Sequence, residues 1–288
     1  MRYSMITNPS SGNLRGTRRR EILSCAQEIL QADLHGLDTT SKEQFLACAR
    51  DLAGKCDVLV VAGGDGSLSD VINAINTRER PIAYIPLGSG NAMSYALHLR
   101  GGVAEAATRI KEGTIRNFDL IQCDGRRSAF MVSIGLEGAV IRKRDEYKAR
   151  GASGFKPYLI AFLVTYLKDY TGVKARIALN GHAFETRSLL SLMIMKQPYY
   201  GYGLKVMPGA RLGDGRLHVR LLHKRVIPAL VGGITSLTLG NRAGLYQTAE
   251  RVSVALEAPG IMQADGDVAW EAKEFHFKIL PGALKMKV

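Results

Sequence analysis

The chain has 288 residues, of which 46% are hydrophobic and 23% charged, and a formal net charge of +13. That composition excludes a disordered chain and leaves room for one large domain or two modest ones. The four cysteines form no CxxC pair and the six histidines are dispersed, which argues against a disulfide framework or a zinc site. The positive balance favours polyanionic partners such as nucleotides, nucleic acid or an anionic membrane face.

The first residues, MRYSMITNPSSGN, carry no apolar core of leader length, so a cytoplasmic protein is expected. Tyr3 to Thr7 reads as a strand, and Ile22, Leu23, Ala26, Ile29 and Leu30 recur at helical spacing, as do Phe45, Leu46, Ala49, Leu52 and Ala53. Asp57 to Ala62 is a continuous apolar run ending at Gly63-Gly64, the pattern of a parallel strand buried on both faces. A helix follows through Leu68, Val71, Ile72 and Ile75, then a strand over Pro81 to Pro86 and a helix opening at Asn91. This alternation predicts a parallel α/β domain over residues 1–120.

Beyond residue 120 the pattern changes. Ser128 to Ile134, Lys174 to Leu179, Leu189 to Lys196, Leu217 to Leu222, Val252 to Leu256 and Phe275 to Leu280 read as short strands divided by turns. They predict an antiparallel β-rich domain over 121–280, interrupted by helices near Pro157 to Tyr170 and Pro228 to Leu239. The longest apolar stretch, Leu159 to Leu167, falls short of the about 20 residues that span a bilayer. The first of these helices suits either a lipid-tail pocket or plain core.

Three turns carry the chemistry. Gly63-Gly64-Asp65-Gly66-Ser67 lies between a buried strand and a helix start, where bare backbone and helix N–H groups can meet a phosphate. Asp65 is unfavourable beside phosphates unless it holds Mg²⁺ or takes a proton, or unless it caps the helix. Gly88-Ser89-Gly90-Asn91 repeats the arrangement after the next strand, and Asn8-Pro9-Ser10-Ser11-Gly12 follows the first. Three such turns at successive strand ends make a cradle for a polyphosphate. There is no GxxxxGK[ST] loop and no GxGxxG fingerprint after the strands. Arg142, Lys143, Arg144, Lys148 and Arg150 could neutralise a phosphate, lie on an anionic membrane, or form a solvated helix face. No nucleic-acid-binding motif accompanies the basic residues, so no nucleic-acid partner is expected.

In order and spacing these turns, with the late Asp265-Gly266-Asp267, resemble the diacylglycerol kinase catalytic family, which includes sphingosine, ceramide and bacterial lipid kinases. The resemblance spans essentially the whole chain, including Gly201 to Pro208 and Asp214-Gly215. It implies a Rossmann-like nucleotide domain of the NAD kinase/diacylglycerol kinase type, a C-terminal antiparallel β-sandwich, and a last segment, 281–288, returning to the first domain. It implies ATP and Mg²⁺, a lipid substrate, peripheral contact with an anionic membrane surface, and leaves a homodimer open. Asp65 or Asp267 would be the catalytic base. Asn8, Ser10, Ser11, Gly12, Thr39, Thr40, Gly63, Gly64, Gly66, Ser67, Gly88, Ser89, Gly90, Asn91, Lys148, Asp265 and Gly266 would face the nucleotide. Asp214 is the match to a structural magnesium ligand. Two positions depart from the family: Ala92 replaces an acid, and Ile141 stands near the place of the aspartate that meets a sphingoid head group. The competing readings are an NAD kinase or other kinase of a soluble substrate, and a non-catalytic nucleotide or lipid binder.

Overall fold

The computed structural model describes residues 1–9, 16–99, 101–150, 160–161, 164–165, 172–223, 235–236 and 239–288. They divide into two compact units. Unit 1 comprises Met1–Asp119, Tyr199–Gly203 and Pro281–Val288, and unit 2 comprises Leu120–Pro198 and Leu204–Leu280. Most of the helices expected near Pro157 to Tyr170 and Pro228 to Leu239 lies outside the described residues. Among those described, no helix is long and apolar enough to cross a membrane.

Unit 1 alternates β1 (Tyr3–Thr7), α1 (Gly16–Leu30), β2 (Asp33–His35), α2 (Lys42–Lys55), β3 (Val58–Gly63), α3 (Asp65–Ala74), β4 (Ile82–Pro86), α4 (Ala92–Ala96) and α5 (Val103–Glu112). All six residues of β3 are buried, as a strand covered on both faces requires. Phe45, Ala49 and Leu52 form the buried stripe of α2. That helix starts reciprocally: the Gln44 N–H donates to the Ser41 hydroxyl, while Gln44 Oε1 accepts from the Thr40 N–H.

The strands pair in parallel in the order β2–β1–β3–β4. The winding reverses between β1 and β3, and such a reversal opens a crevice beyond the carboxyl ends of the strands. The turns after β1 and β3 flank it, and the turn after β4 is next along. Residues 281–288 continue the sheet on the far side of β4, with Met286 opposite Ile82. Thr114 and Val288 exchange two main-chain hydrogen bonds there, and the Thr77 hydroxyl donates to the Ala283 carbonyl.

β5 (Ile115–Cys123) leads into unit 2, which holds β6 (Arg127–Ala129), β7 (Met131–Gly135), α6 (Leu136–Ala149), β8 (Val173–Leu179), β9 (His182–Met195), β10 (Leu217–His223), β11 (Leu245–Ala249), β12 (Arg251–Ala264) and most of β13 (Asp267–Lys287). The ladders from β7 to β13 within the unit are antiparallel. β9 and β12 each pair with both β7 and β8, so two long strands tie the sheet together around a core that includes Ile177, Leu192, Ile194, Met262 and Phe275. β12 reads in the sequence only as Val252 to Leu256, because its register against β13 shifts between Ala255 and Gly260 and again between Met262 and Gln263. Each shift breaks the apolar alternation that marks a strand.

Candidate functional site

The GGDGS and GSGN turns are locked to each other. Leu87 N–H donates to the Gly63 carbonyl at 2.8 Å. A Cβ on Gly88 would stand 2.7 Å from the Gly64 Cα, so only glycine allows the two main chains to lie this close. Asp65 completes the lock: Oδ2 accepts from the Ala92 N–H at 2.7 Å and Oδ1 from the Met93 N–H at 3.0 Å. Burial raises the Asp65 carboxyl above the ordinary range, and these two amides pull it back. The carboxylate thus caps α4 from another turn of the fold. This resembles the helix-capping alternative, but the helix capped is not the one Asp65 opens.

Asp65 being occupied at α4 leaves the start of α3 without any side-chain cap. The first amides of a helix have no partner within it, and the dipole there favours an anion. The donors at the first turn of α3, Asp65 to Ser67, therefore fit a phosphate. Ser89 is exposed beside it, whereas Ser67 is only 5% exposed, which leaves its main-chain N–H rather than its hydroxyl as the better donor. Asn91 sits in a left-handed conformation (φ 43°), with its Nδ2 donating to the Gly88 carbonyl at 2.5 Å and its Oδ1 accepting from the Tyr84 hydroxyl. Asn91 thus shapes its own turn.

Ser10, Ser11 and Gly12 lie outside the described residues, as does the side chain of Lys148. Asn8, at the same loop, is held by a residue that sequence reasoning missed. Arg19 is fully buried, and its Nη1 donates to the Asn8 carbonyl at 2.7 Å and to the Thr7 hydroxyl at 3.2 Å. A signal existed: Arg19 falls on the buried stripe Arg19, Leu23, Ala26, Leu30 of α1. It places a positive charge beside the main chain at Asn8. Thr39 and Thr40, expected at the nucleotide, use their hydroxyls locally, donating to the Gly36 carbonyl and to Gln44 Oε1. Tyr199–Gly203, which falls within the β-rich domain expected over 121–280, belongs instead to unit 1. Its Tyr202 N–H donates to the Gly90 carbonyl at 2.8 Å, and a Cβ on Gly201 would stand 3.3 Å from the Gly90 Cα. Tyr202 itself is held at φ 63°, a strained conformation for a tyrosine.

In unit 2, Asp265-Gly266 is a two-residue hairpin turn with both φ values positive (51° and 92°), the type that an Asp-Gly pair favours. The turn is over-determined. Asp265 Oδ1 accepts from the Phe130 and Met131 N–H groups at 2.9 and 3.0 Å. Gln263 Oε1 accepts from the Gly266 N–H at 3.0 Å, and Arg144 Nη1 donates to the Gly266 carbonyl at 3.2 Å. Asp265 therefore anchors the turn through its Oδ1. Asp267, the first residue of β13, is exposed next to this turn.

Asp214 does not fit the role of a metal ligand. Its Oδ1 accepts from the Lys196 ammonium at 2.7 Å and its Oδ2 from His218 Nε2–H at 2.8 Å. Among the described residues no group of three histidine, cysteine or acidic side chains is placed to hold a metal ion.

The sequence also gave no sign of a second acid in a special state. Glu137, in the first turn of α6, accepts from the Ser191 hydroxyl at about hydrogen-bond contact with both oxygens (2.7 and 2.6 Å). Desolvation pushes its carboxyl up to about 7, against the hydrogen bonds of Ser191 and Ser133. A raised folded value means that the folded protein holds the proton more tightly than the unfolded chain. Its contribution to stability is then full below about pH 4.5 and is lost as pH rises towards 7. Glu137→Gln, which mimics the protonated acid, is expected to match the wild type near pH 4.5 and to exceed it by about 3 kcal/mol at pH 8. Urea unfolding at the two pH values measures this, and equal stability of the two proteins at pH 8 would refute it.

Comparison with known proteins gives a consistent picture. Residues 2–123 match the diacylglycerol kinase catalytic domain, and residues 130–288 match the YegS C-terminal NAD kinase beta sandwich-like domain. A diacylglycerol kinase of Staphylococcus carnosus is 25% identical over 279 residues, covering 92% of this chain and 88% of the relative. One from Staphylococcus saprophyticus is 26% identical over 281 residues, covering 92% and 88%. In fold, a diacylglycerol kinase structure from Bacillus anthracis superposes with a TM-score of 0.77 at 21% identity, over 99% of this chain and 96% of that one. An NAD kinase from Archaeoglobus fulgidus in complex with ATP gives 0.51 at 12% identity, over 99% and 93%.

Proposed function

Since the chain belongs to the diacylglycerol kinase catalytic-domain family, we propose that it transfers the γ-phosphoryl group of ATP to a lipid hydroxyl. The observation that carries this reading is the pair of interlocked turns after β3 and β4, with the uncapped start of α3 beside them at the switch point of a parallel sheet. In this reading the α3 amides and Ser89 bind phosphate, and the buried Arg19 adds positive charge beside Asn8. Mg²⁺ accompanies ATP and offsets the charge of its phosphates when bound.

The surroundings of the two candidate bases favour different roles. Both Asp65 oxygens are engaged by main-chain N–H groups, so Asp65 serves as the clamp of the phosphate cradle. Asp267 is exposed next to the hydrogen-bonded Asp265-Gly266 turn, which supports it as the group that takes the proton from the attacking hydroxyl. Positioning and charge neutralisation supply the rest of the acceleration. The lipid hydroxyl is favoured over a soluble acceptor because the named relatives along the full length are diacylglycerol kinases, and the resemblance to NAD kinase is one of fold alone. The surface of an anionic bilayer is the natural place to meet such a substrate for a chain of this charge.

The test is transfer of radiolabelled γ-phosphate to mixed vesicles containing diacylglycerol, ceramide, sphingosine or monoacylglycerol, with NAD as the soluble control. Label in a lipid product is the expected result. Label in NAD alone would overturn the assignment of the acceptor, and hydrolysis without any labelled acceptor would overturn the transfer itself.

A further inference from the structure

The Asp214 site in unit 2 is built like a cation site, and the chain fills it with one of its own side chains. Two oxygens converge on one point: the Asp214 carboxylate and the main-chain carbonyl of Arg216, two residues later. A carboxylate joined to a main-chain carbonyl from the same turn is a usual ligand pair for a hard cation. Here the point is occupied by the ammonium of Lys196, 2.7 Å from Asp214 Oδ1 and 2.6 Å from the Arg216 carbonyl, with the lysine side chain fully buried. The remaining Asp214 oxygen is taken by His218, whose Nδ1 in turn accepts from the Tyr246 hydroxyl at 2.7 Å. The Arg216 N–H also donates to Asp214 Oδ1 at 3.2 Å.

A divalent ion and an ammonium cannot share this point. Magnesium needs its oxygens at about 2.0–2.1 Å and calcium at about 2.3–2.6 Å, and either would lie against a buried positive charge. We propose that Lys196 is a tethered cation that replaces a structural metal ion at the Gly213-Asp214-Gly215 turn, so that unit 2 keeps this turn without any bound divalent ion. Lys196 directly follows β9 and Asp214 precedes β10, so the ammonium joins the two ends of the long connection between neighbouring strands. The inference is independent of the reaction the protein performs.

The experiment is thermal unfolding of the full chain without nucleotide. The wild type should show no bound divalent metal by elemental analysis, and its midpoint should be unchanged by EDTA and by millimolar Mg²⁺ or Ca²⁺. Lys196→Ser leaves Asp214 and the Arg216 carbonyl facing a gap, and should lower the midpoint by on the order of 10 °C. Mg²⁺, Ca²⁺ or methylammonium should restore part of that loss in the variant alone. Stoichiometric metal in the wild type, or a midpoint that falls with EDTA, overturns the proposal. So does a Lys196→Ser protein that is as stable as the wild type, or one that none of these cations restores. The wild-type measurements decide the matter even where the variant fails to fold.

Discussion

Asp267→Asn is expected to lower kcat by about 10²- to 10⁴-fold, the range that a positioned general base contributes, while leaving ATP affinity close to wild type. The side chain is exposed, and the turn that carries it is held by its neighbours: Asp265 on the Phe130 and Met131 amides, Gln263 on Gly266, and Arg144 on the Gly266 carbonyl. Removing one charge at position 267 leaves every one of these bonds in place. A steady-state assay with labelled ATP, paired with nucleotide titration by calorimetry, separates the effects. Turnover within a few-fold of wild type would remove Asp267 from the chemistry.

Asp65→Asn is expected to fail in a different way. The asparagine has the same shape, but its amide group turns a donor towards one of two N–H donors, from Ala92 or Met93. Each of these bonds to a carboxylate is worth roughly 1.5–3 kcal/mol, and a buried donor left facing a donor adds its own cost. The variant should lose about 3 kcal/mol of stability and most of its ATP affinity, because the turns after β3 and β4 are no longer held together. Urea unfolding and calorimetric titration read both effects. If Asp65 were the base, stability and ATP binding would survive and kcat alone would collapse. The two asparagine variants together therefore assign the two acids.

The regular part of the fold was legible because its signals are local. DVLVVA before Gly63-Gly64 announces β3, and Phe45, Ala49 and Leu52 announce the buried side of α2. Elements with weak apolar contrast were not legible. Three of the five residues of β11, Leu245, Tyr246 and Gln247, are exposed, and the first three residues of β5, Ile115, Arg116 and Asn117, are as well. α5 places Ala106, Ala107 and Ile110 on its buried side, and alanine gives little periodic contrast. In the site, residue types were readable but their partners were not. Asp65 stands out as an acid in a glycine turn, yet what it holds lies 27 residues away. Asp265 and its amide partners are separated by 134 and 135 residues. Lys196 closes an apolar run, LMIMK, which carries no hint that its ammonium turns inward.

One further consequence follows from the strand beyond β4. The sheet that carries the glycine-rich turns after β3 and β4 is encoded almost wholly before residue 87, but its last member comes from residues 281–288. On the ribosome, β4 emerges with its outer edge unpaired and stays so until synthesis has passed through all of unit 2. An unpaired strand edge invites pairing with other chains. The half of the protein that is translated first is therefore the last to be finished, and cotranslational folding has to shelter an open β4 edge while the other half takes shape.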